Sequence, residues 1–218
     1  MIEAKEGMNL NVVELKRDYP GLKTVIAVSK TRTIDDIKRL IDAGFTDFAE
    51  NKAQELSTKA PFLKDVVWHF IGHLQTNKVK EVIAHVTWIH SVDSIRLLKE
   101  IEKEAKKINK KINVLMQVNL ANEETKFGMD RADIRAFLAA AKSCEYACIT
   151  GIMVIGPNTD DKESIRAVFK EAKQWQVDLQ KNIPLFQECS MGMSHDYMIA
   201  LEEGATMLRI GTLLFGKR

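Results

Sequence analysis

The chain has 218 residues, 45% hydrophobic and 28% charged, with a formal net charge of only +2. Lysine and arginine alternate with aspartate and glutamate, so no segregated basic face marks a nucleic-acid binder; the lysine-rich stretch 103–111 is offset by Glu100, Glu102 and Glu104 and reads as a solvated helix face. The opening MIEAKEGMNL has no apolar signal region, and no run approaches the roughly 18 apolar residues of a membrane span. Three cysteines (Cys144, Cys148, Cys189) cannot all pair, so a reducing, cytoplasmic compartment is expected.

No linker or low-complexity segment divides the chain, and a single domain over residues 1–218 is expected. A helical pattern over 8–16 predicts a helix ahead of the first strand. Short apolar, β-branched runs then predict strands over 24–29, 47–50, 67–71, 88–91, 112–119, 149–155, 186–190 and 207–210. Between them apolar residues recur at helical spacing: Ile34, Ile37, Leu40 and Ile41; Ile95, Leu98, Ile101, Ala105 and Ile108; Ile134, Phe137, Leu138 and Ala141; Ile165, Val168, Phe169, Ala172, Trp175 and Leu179. Thr33, Asp93 and Asp161 are expected to open three of these helices. Eight alternating units favour a closed (β/α)8 TIM barrel, with an open doubly wound sheet as the alternative.

Chemistry in a (β/α)8 barrel sits on the loops that follow the strands. Those loops here hold Ser29-Lys30-Thr31, Glu50-Asn51-Lys52, the run from Gly72 to Lys78, Ser190-Met191-Gly192-Met193-Ser194 and Arg209-Ile210-Gly211-Thr212. The last two combine hydroxyls, glycines and free backbone N–H groups, the ingredients of a phosphate nest; glycines that only permit tight turns are the alternative. Lys30 follows Val25-Ile26-Ala27-Val28 directly and rises from an apolar floor, a setting that suits a Schiff-base amine. A solvent-facing loop lysine is the other reading.

Taken together, Ala27-Val28-Ser29-Lys30-Thr31, Glu50-Asn51, Trp68 to Gly72, Leu74 to Lys78, His90 to Asp93, Gln117-Val118-Asn119, Ser190 to Ser194 and Arg209 to Thr212 resemble the pyridoxal phosphate homeostasis protein family, from about residue 24 to the end. The resemblance implies a fold type III barrel like the N-terminal domain of alanine racemase, with pyridoxal 5′-phosphate as cofactor. By the same resemblance Lys30 carries the internal aldimine, and Ser190, Met191, Ser194, Gly211 and Thr212 match the phosphate-cradling segments. Arg209 matches an arginine near the pyridine nitrogen, which would keep that nitrogen unprotonated, and Asn51 matches a residue beside the cofactor. The chain departs from the family pattern at Ala49, where glycine is common, and at Cys189, where leucine is usual.

Racemases and decarboxylases of this fold carry a second, β-rich domain that this sequence lacks. The resemblance therefore implies a non-catalytic carrier, a monomer that buffers the cofactor and delivers it to apo-enzymes. A minimal racemase using Lys30 is the alternative, and a Schiff-base aldolase a more remote one. The run from Gly211 to Lys217 nearly spells a nucleotide-binding loop but lacks the hydroxyl residue and the helix that should follow. His69 and His73 fall on a strand and turn, so His69 is expected to face the core, with no metal. Cys144 and Cys148 read as ordinary thiols, His195 as plain surface, and Lys126 or Lys217 as a possible second, looser cofactor attachment.

Overall fold

Each short β-branched segment forms a strand, each is followed by a helical segment, and the strands close in sequence order into a parallel barrel, β1 to β8. The computed structural model describes residues 10–121, 123 and 127–216. The strands are β1 (Thr24–Val28), β2 (Asp47–Glu50), β3 (Val67–Phe70), β4 (Trp88–Val92), β5 (Ile112–Gln117), β6 (Ala147–Met153), β7 (Glu188–Ser190) and β8 (Met207–Ile210). The α-helices are α1 (Val12–Asp18), α2 (Ile34–Asp42), α3 (Ala53–Lys59), α4 (Val79–Ile83), α5 (Ile95–Lys107), α6 (Ile134–Ala141), α7 (Lys162–Gln180), α8 (Tyr197–Glu202) and α9 (Thr212–Phe215). Parallel neighbours need a crossover, and a helix on the outer face supplies it. Closure is completed by β1 against β8, with Thr24 beside Met207 and Ala27 beside Ile210. The open-sheet alternative is thereby excluded.

Alternation along the strands makes two cores. Val25, Phe48, Phe70 and Ile89 face outward and pack with Ile37, Leu56, Leu98 and Phe169 of the helices. Ile26, Val28, Ala49, Leu115, Met153 and Met207 face inward and form a smaller cluster along the barrel axis. Each fully buried Leu, Ile or Phe contributes about 1.5–3 kcal/mol, so the outer layer carries most of the stability.

Helix starts follow local polar chemistry. Thr33 and Asp36 form a reciprocal capping box at α2, and Asp161 accepts from the backbone N–H groups of Glu163 and Ser164 at α7. Ser94, not Asp93, caps α5: the Ser94 hydroxyl oxygen accepts from the Leu97 N–H, while Asp93 lies 3.6 Å from His73. α1 starts at Val12, where Asn11 accepts from the Glu14 N–H and caps it; residues 8 and 9 of the expected helix lie outside the described residues. β5 stops two residues early, where the Met129 N–H donates to the Gln117 carbonyl and Val118 bridges to Met129. β7 is shorter than expected because Phe186 closes a turn onto Ile183. No helix among the described residues is long and apolar enough to cross a membrane.

Candidate functional site

The C-terminal ends of the strands enclose a cavity of about 520 Å³, lined by Val28, Lys30, Arg32, Ile71, Met193, Ser194, His195, Arg209, Gly211 and Thr212. Strand parity explains the composition. Ile26 and Val28 point into the barrel, so Lys30, two residues further, continues on the same side and joins the lining. On β8 the same rule carries Met207, Arg209 and Gly211 inward. Three cationic side chains and no carboxylate line the cavity among the described residues, which suits an anionic ligand.

The backbone on both sides of Lys30 is held from outside the barrel. Lys59 of α3 donates to the Ser29 carbonyl at 2.9 Å, to Glu50 Oε1 at 2.7 Å and to Glu55 Oε2 at 3.0 Å. The Thr31 N–H in turn donates to Glu55 Oε2 at 2.7 Å, pinning a non-glycine residue at φ 63°. The base of Lys30 is thus fixed between two tethered neighbours.

The adjoining wall is built by the loops after β7 and β8, which stand beside β1 in the closed barrel. The N–H groups of Ser194, His195, Gly211 and Thr212 donate to no protein acceptor among the described residues. The loop bends through Gly192 at φ +89°, where a Cβ would come within 2.6 Å of Ala200 Cβ. Asp196 Oδ1 accepts from the Met193 N–H at 2.6 Å and holds the loop in that shape. Arg32, across the mouth, lies over the Phe215 ring at 5.5 Å.

Below the cavity the barrel interior is polar. Arg209, 4% exposed, donates from Nη1 to Ser190 Oγ at 2.7 Å and from Nη2 to the Val154 carbonyl at 2.9 Å. Burial pushes its guanidinium down to about 10, against the charge of Asp196. Ser190 Oγ lies 3.0 Å from His90 Nδ1, His90 Nε2 lies 2.9 Å from His69 Nδ1, and His69 Nε2 lies 3.0 Å from Asp47 Oδ1. Both imidazoles are wholly buried, and burial lowers both pKa values; for His90 the charges of His69 and Arg209 lower it further. Burial alone would raise the Asp47 carboxyl, but hydrogen bonds from His69 and Thr46 outweigh it and hold it below the usual value.

Of the residues singled out from sequence, Lys30, Ser194, Arg209, Gly211 and Thr212 meet in the cavity lining. Asn51, Ser190 and Met191 lie outside that lining. The Asn51 Oδ1 is buried without a hydrogen-bond partner among the described residues, and its backbone abuts Gly72, where a Cβ would fall 2.0 Å from the Asn51 carbonyl oxygen. Ser190 is fully buried with its oxygen engaged by Arg209 and His90, and Met191 packs in the outer core. Sequence reading overlooked Arg32 and set His195 aside as surface, yet both line the cavity. The position of His195 directly after Ser194, in the loop that follows β7, was the available signal. His69 faces the interior as expected, and no cluster of three or more potential metal ligands occurs among the described residues. Lys126 and Lys217 lie outside the described residues.

The profile of the family described as alanine racemase, N-terminal domain, matches residues 6–218. An alanine racemase of Clostridium difficile shares the fold alone: 15% identity and a TM-score of 0.79, with 98% of this chain and 57% of that one covered. Fold and profile thus define a barrel of the alanine racemase N-terminal type. Nearer relatives are a pyridoxal phosphate homeostasis protein of Aquifex aeolicus, 40% identical over 198 residues (89% of this chain, 86% of that one), and one of Synechocystis sp., 36% identical over 209 residues (94% and 96%). PipY of Synechococcus elongatus PCC7942, solved without and with PLP bound, superposes at TM-scores of 0.87 and 0.85, with 36% identity over 94% of this chain and 98% of that one. The chain belongs to the pyridoxal phosphate homeostasis protein family.

Proposed function

We propose that the cavity holds pyridoxal 5′-phosphate, with Lys30 as its covalent anchor, and that the protein stores this cofactor and delivers it to apo-enzymes. The observation that carries the reading is one cavity that brings Lys30 together with the backbone N–H groups of Ser194, His195, Gly211 and Thr212, which have no protein acceptor among the described residues. Relatives bearing the homeostasis name and a PLP-bound PipY structure support it. When bound, the cofactor supplies an aldehyde, which condenses with a primary amine with loss of one water, and a phosphate group.

The residues fit both ends of such a ligand. Ser194, His195, Gly211 and Thr212 offer their backbone N–H groups, and Ser194 and Thr212 their hydroxyls, to a phosphate. Gly211 leaves room there, since a Cβ at that position would meet only Val28, no closer than 3.6 Å. Asn51 offers a buried acceptor that no group among the described residues uses, and Lys30 is placed by the tethered backbone of Ser29 and Thr31. Arg209 lines the cavity and would donate to the ring nitrogen, keeping it unprotonated. Ser190 acts on the ligand through Arg209, and Met191 backs the loop from the outer core.

The test is the visible absorbance of the full chain with added pyridoxal phosphate, compared with Lys30→Ala, followed by borohydride reduction and peptide mapping. An absorbance band present in the wild type, absent from the variant and mapped to Lys30 is expected. A wild type without the band, or a label elsewhere, overturns the anchor. Reactivation of an apo-enzyme by the loaded protein is expected, and sustained racemisation of an amino acid overturns the carrier reading.

A further inference from the structure

Five polar side chains on five strands form a continuous chain through the barrel interior: Asp47 on β2, His69 on β3, His90 on β4, Ser190 on β7 and Arg209 on β8. The interior of this fold is ordinarily packed with branched apolar side chains, so a polar file needs a reason. His69, His90 and Ser190 are 0% exposed, and Trp88 stacks on His69 at 5.7 Å. Only the two ends approach the surface: Arg209 at the cavity, and Asp47 at the opposite mouth, where its side chain is 23% exposed and feels the charge of Lys16 on α1.

The chemistry of the ends dictates the direction of every link. Arginine can only donate, and an ionised carboxylate can only accept. The His69 Nε2–H therefore donates to Asp47, which leaves His69 Nδ1 bare to accept from the His90 Nε2–H. His90 Nδ1 is then bare and accepts from the Ser190 hydroxyl, whose oxygen accepts from Arg209. With both rings neutral, any reversal sets two donors or two acceptors face to face at one of these distances. Full burial favours the neutral form of both rings, and in that form each carries its proton on Nε2.

We infer that Asp47, His69 and His90 are positioning residues of the cofactor site: this one-directional chain locks the Ser190 hydroxyl so that its oxygen faces Arg209 and aims the guanidinium at the cavity. The inference rests on the reading of that cavity as a pyridoxal phosphate site. Asp47 acts from the far end of the barrel without touching the ligand.

The chain is tested first without cofactor, by nitrogen-15 NMR of the full chain labelled at histidine. At neutral pH His69 and His90 are expected as neutral Nε2–H tautomers; an Nδ1–H or doubly protonated ring at either position overturns the inference. Asp47→Asn keeps an acceptor oxygen and should retain both tautomers. Asp47→Leu removes it and should shift His90, two links away, toward Nδ1–H, whereas a merely structural Asp47 would leave that ring unchanged. Pyridoxal phosphate affinity should fall about fivefold to tenfold in Asp47→Leu, the loss of one well-placed hydrogen bond, and be restored in Asp47→Asn. Unaltered affinity in Asp47→Leu overturns the positioning role alone, and absence of binding by the wild type overturns the cofactor reading with it. If Asp47→Leu fails to fold, the wild-type tautomers still decide, since the one-directional chain requires Nε2–H on both rings.

Discussion

The Nζ of Lys59 lies 2.7 Å from Glu50 Oε1, with the two side chains only 10% and 0% exposed between α3 and the sheet. Burial pushes the Glu50 carboxyl up in spite of hydrogen bonds from Lys59 and Ser29, so the pair is costly in itself. Its return is positional: the same ammonium holds the Ser29 carbonyl next to Lys30.

Removing one partner leaves the other charge buried alone. Lys59→Met should therefore destabilise the protein by about 3–5 kcal/mol, measured by urea unfolding. The double variant Lys59→Met, Glu50→Leu should recover most of that loss. It should nonetheless bind pyridoxal phosphate more weakly than wild type, because Ser29 loses its tether. A double variant as unstable as the single one would show that the pair stabilises by more than charge compensation.

The buried histidines make stability sensitive to acid. Folding lowers the pKa of His69 and of His90, so the unfolded chain binds more protons than the native one below about 6.5, the ordinary value. Their contribution is thus complete above that pH and is lost as pH falls toward the folded-state values. The slope should approach about 2.7 kcal/mol per pH unit if both rings stay neutral in the fold, or about 1.4 for each ring. Chemical denaturation between pH 7 and the acid limit reads it, and His90→Gln should remove roughly half of the slope.

Gly211 sits at φ −113°, which any residue adopts, and a Cβ there would meet only Val28. Gly211→Val should fold with a melting temperature near wild type yet lose cofactor absorbance, because its methyl groups occupy the phosphate nest. Retained binding would place the phosphate elsewhere.

Gly192 is the opposite case. Its φ of +89° and a Cβ position 2.6 Å from Ala200 Cβ and 2.9 Å from Leu208 Cδ2 make Gly192→Ala both strained and overpacked. A loss of about 2–5 kcal/mol is expected from the two effects together, read as a lower midpoint in thermal or urea unfolding. Binding should weaken as well, since the Gly192 carbonyl accepts from the Arg209 N–H.

Much of this architecture could be read locally. The runs at 47–50 and 207–210 are strands with the expected bounds, and Thr33 and Asp161 cap the helices they precede. Misreadings arose where a distant partner intervened. Asp93 has the chemistry of a cap but faces His73 from a neighbouring loop, so Ser94 takes the role. His195 is exposed, as the sequence suggests, and it also lines the cavity.

By itself the sequence determined the eight strands, their order, and which loops hold lysine, hydroxyls and glycines, because strand and helix periods are properties of adjacent residues. Only the tertiary structure decided that residues 47, 69, 90, 190 and 209 form one hydrogen-bonded file, and that Lys59 clamps Ser29. Those contacts depend on barrel closure and strand register. Parity says that a side chain points inward, but the register between strands sets its height, and hydrogen bonds require both.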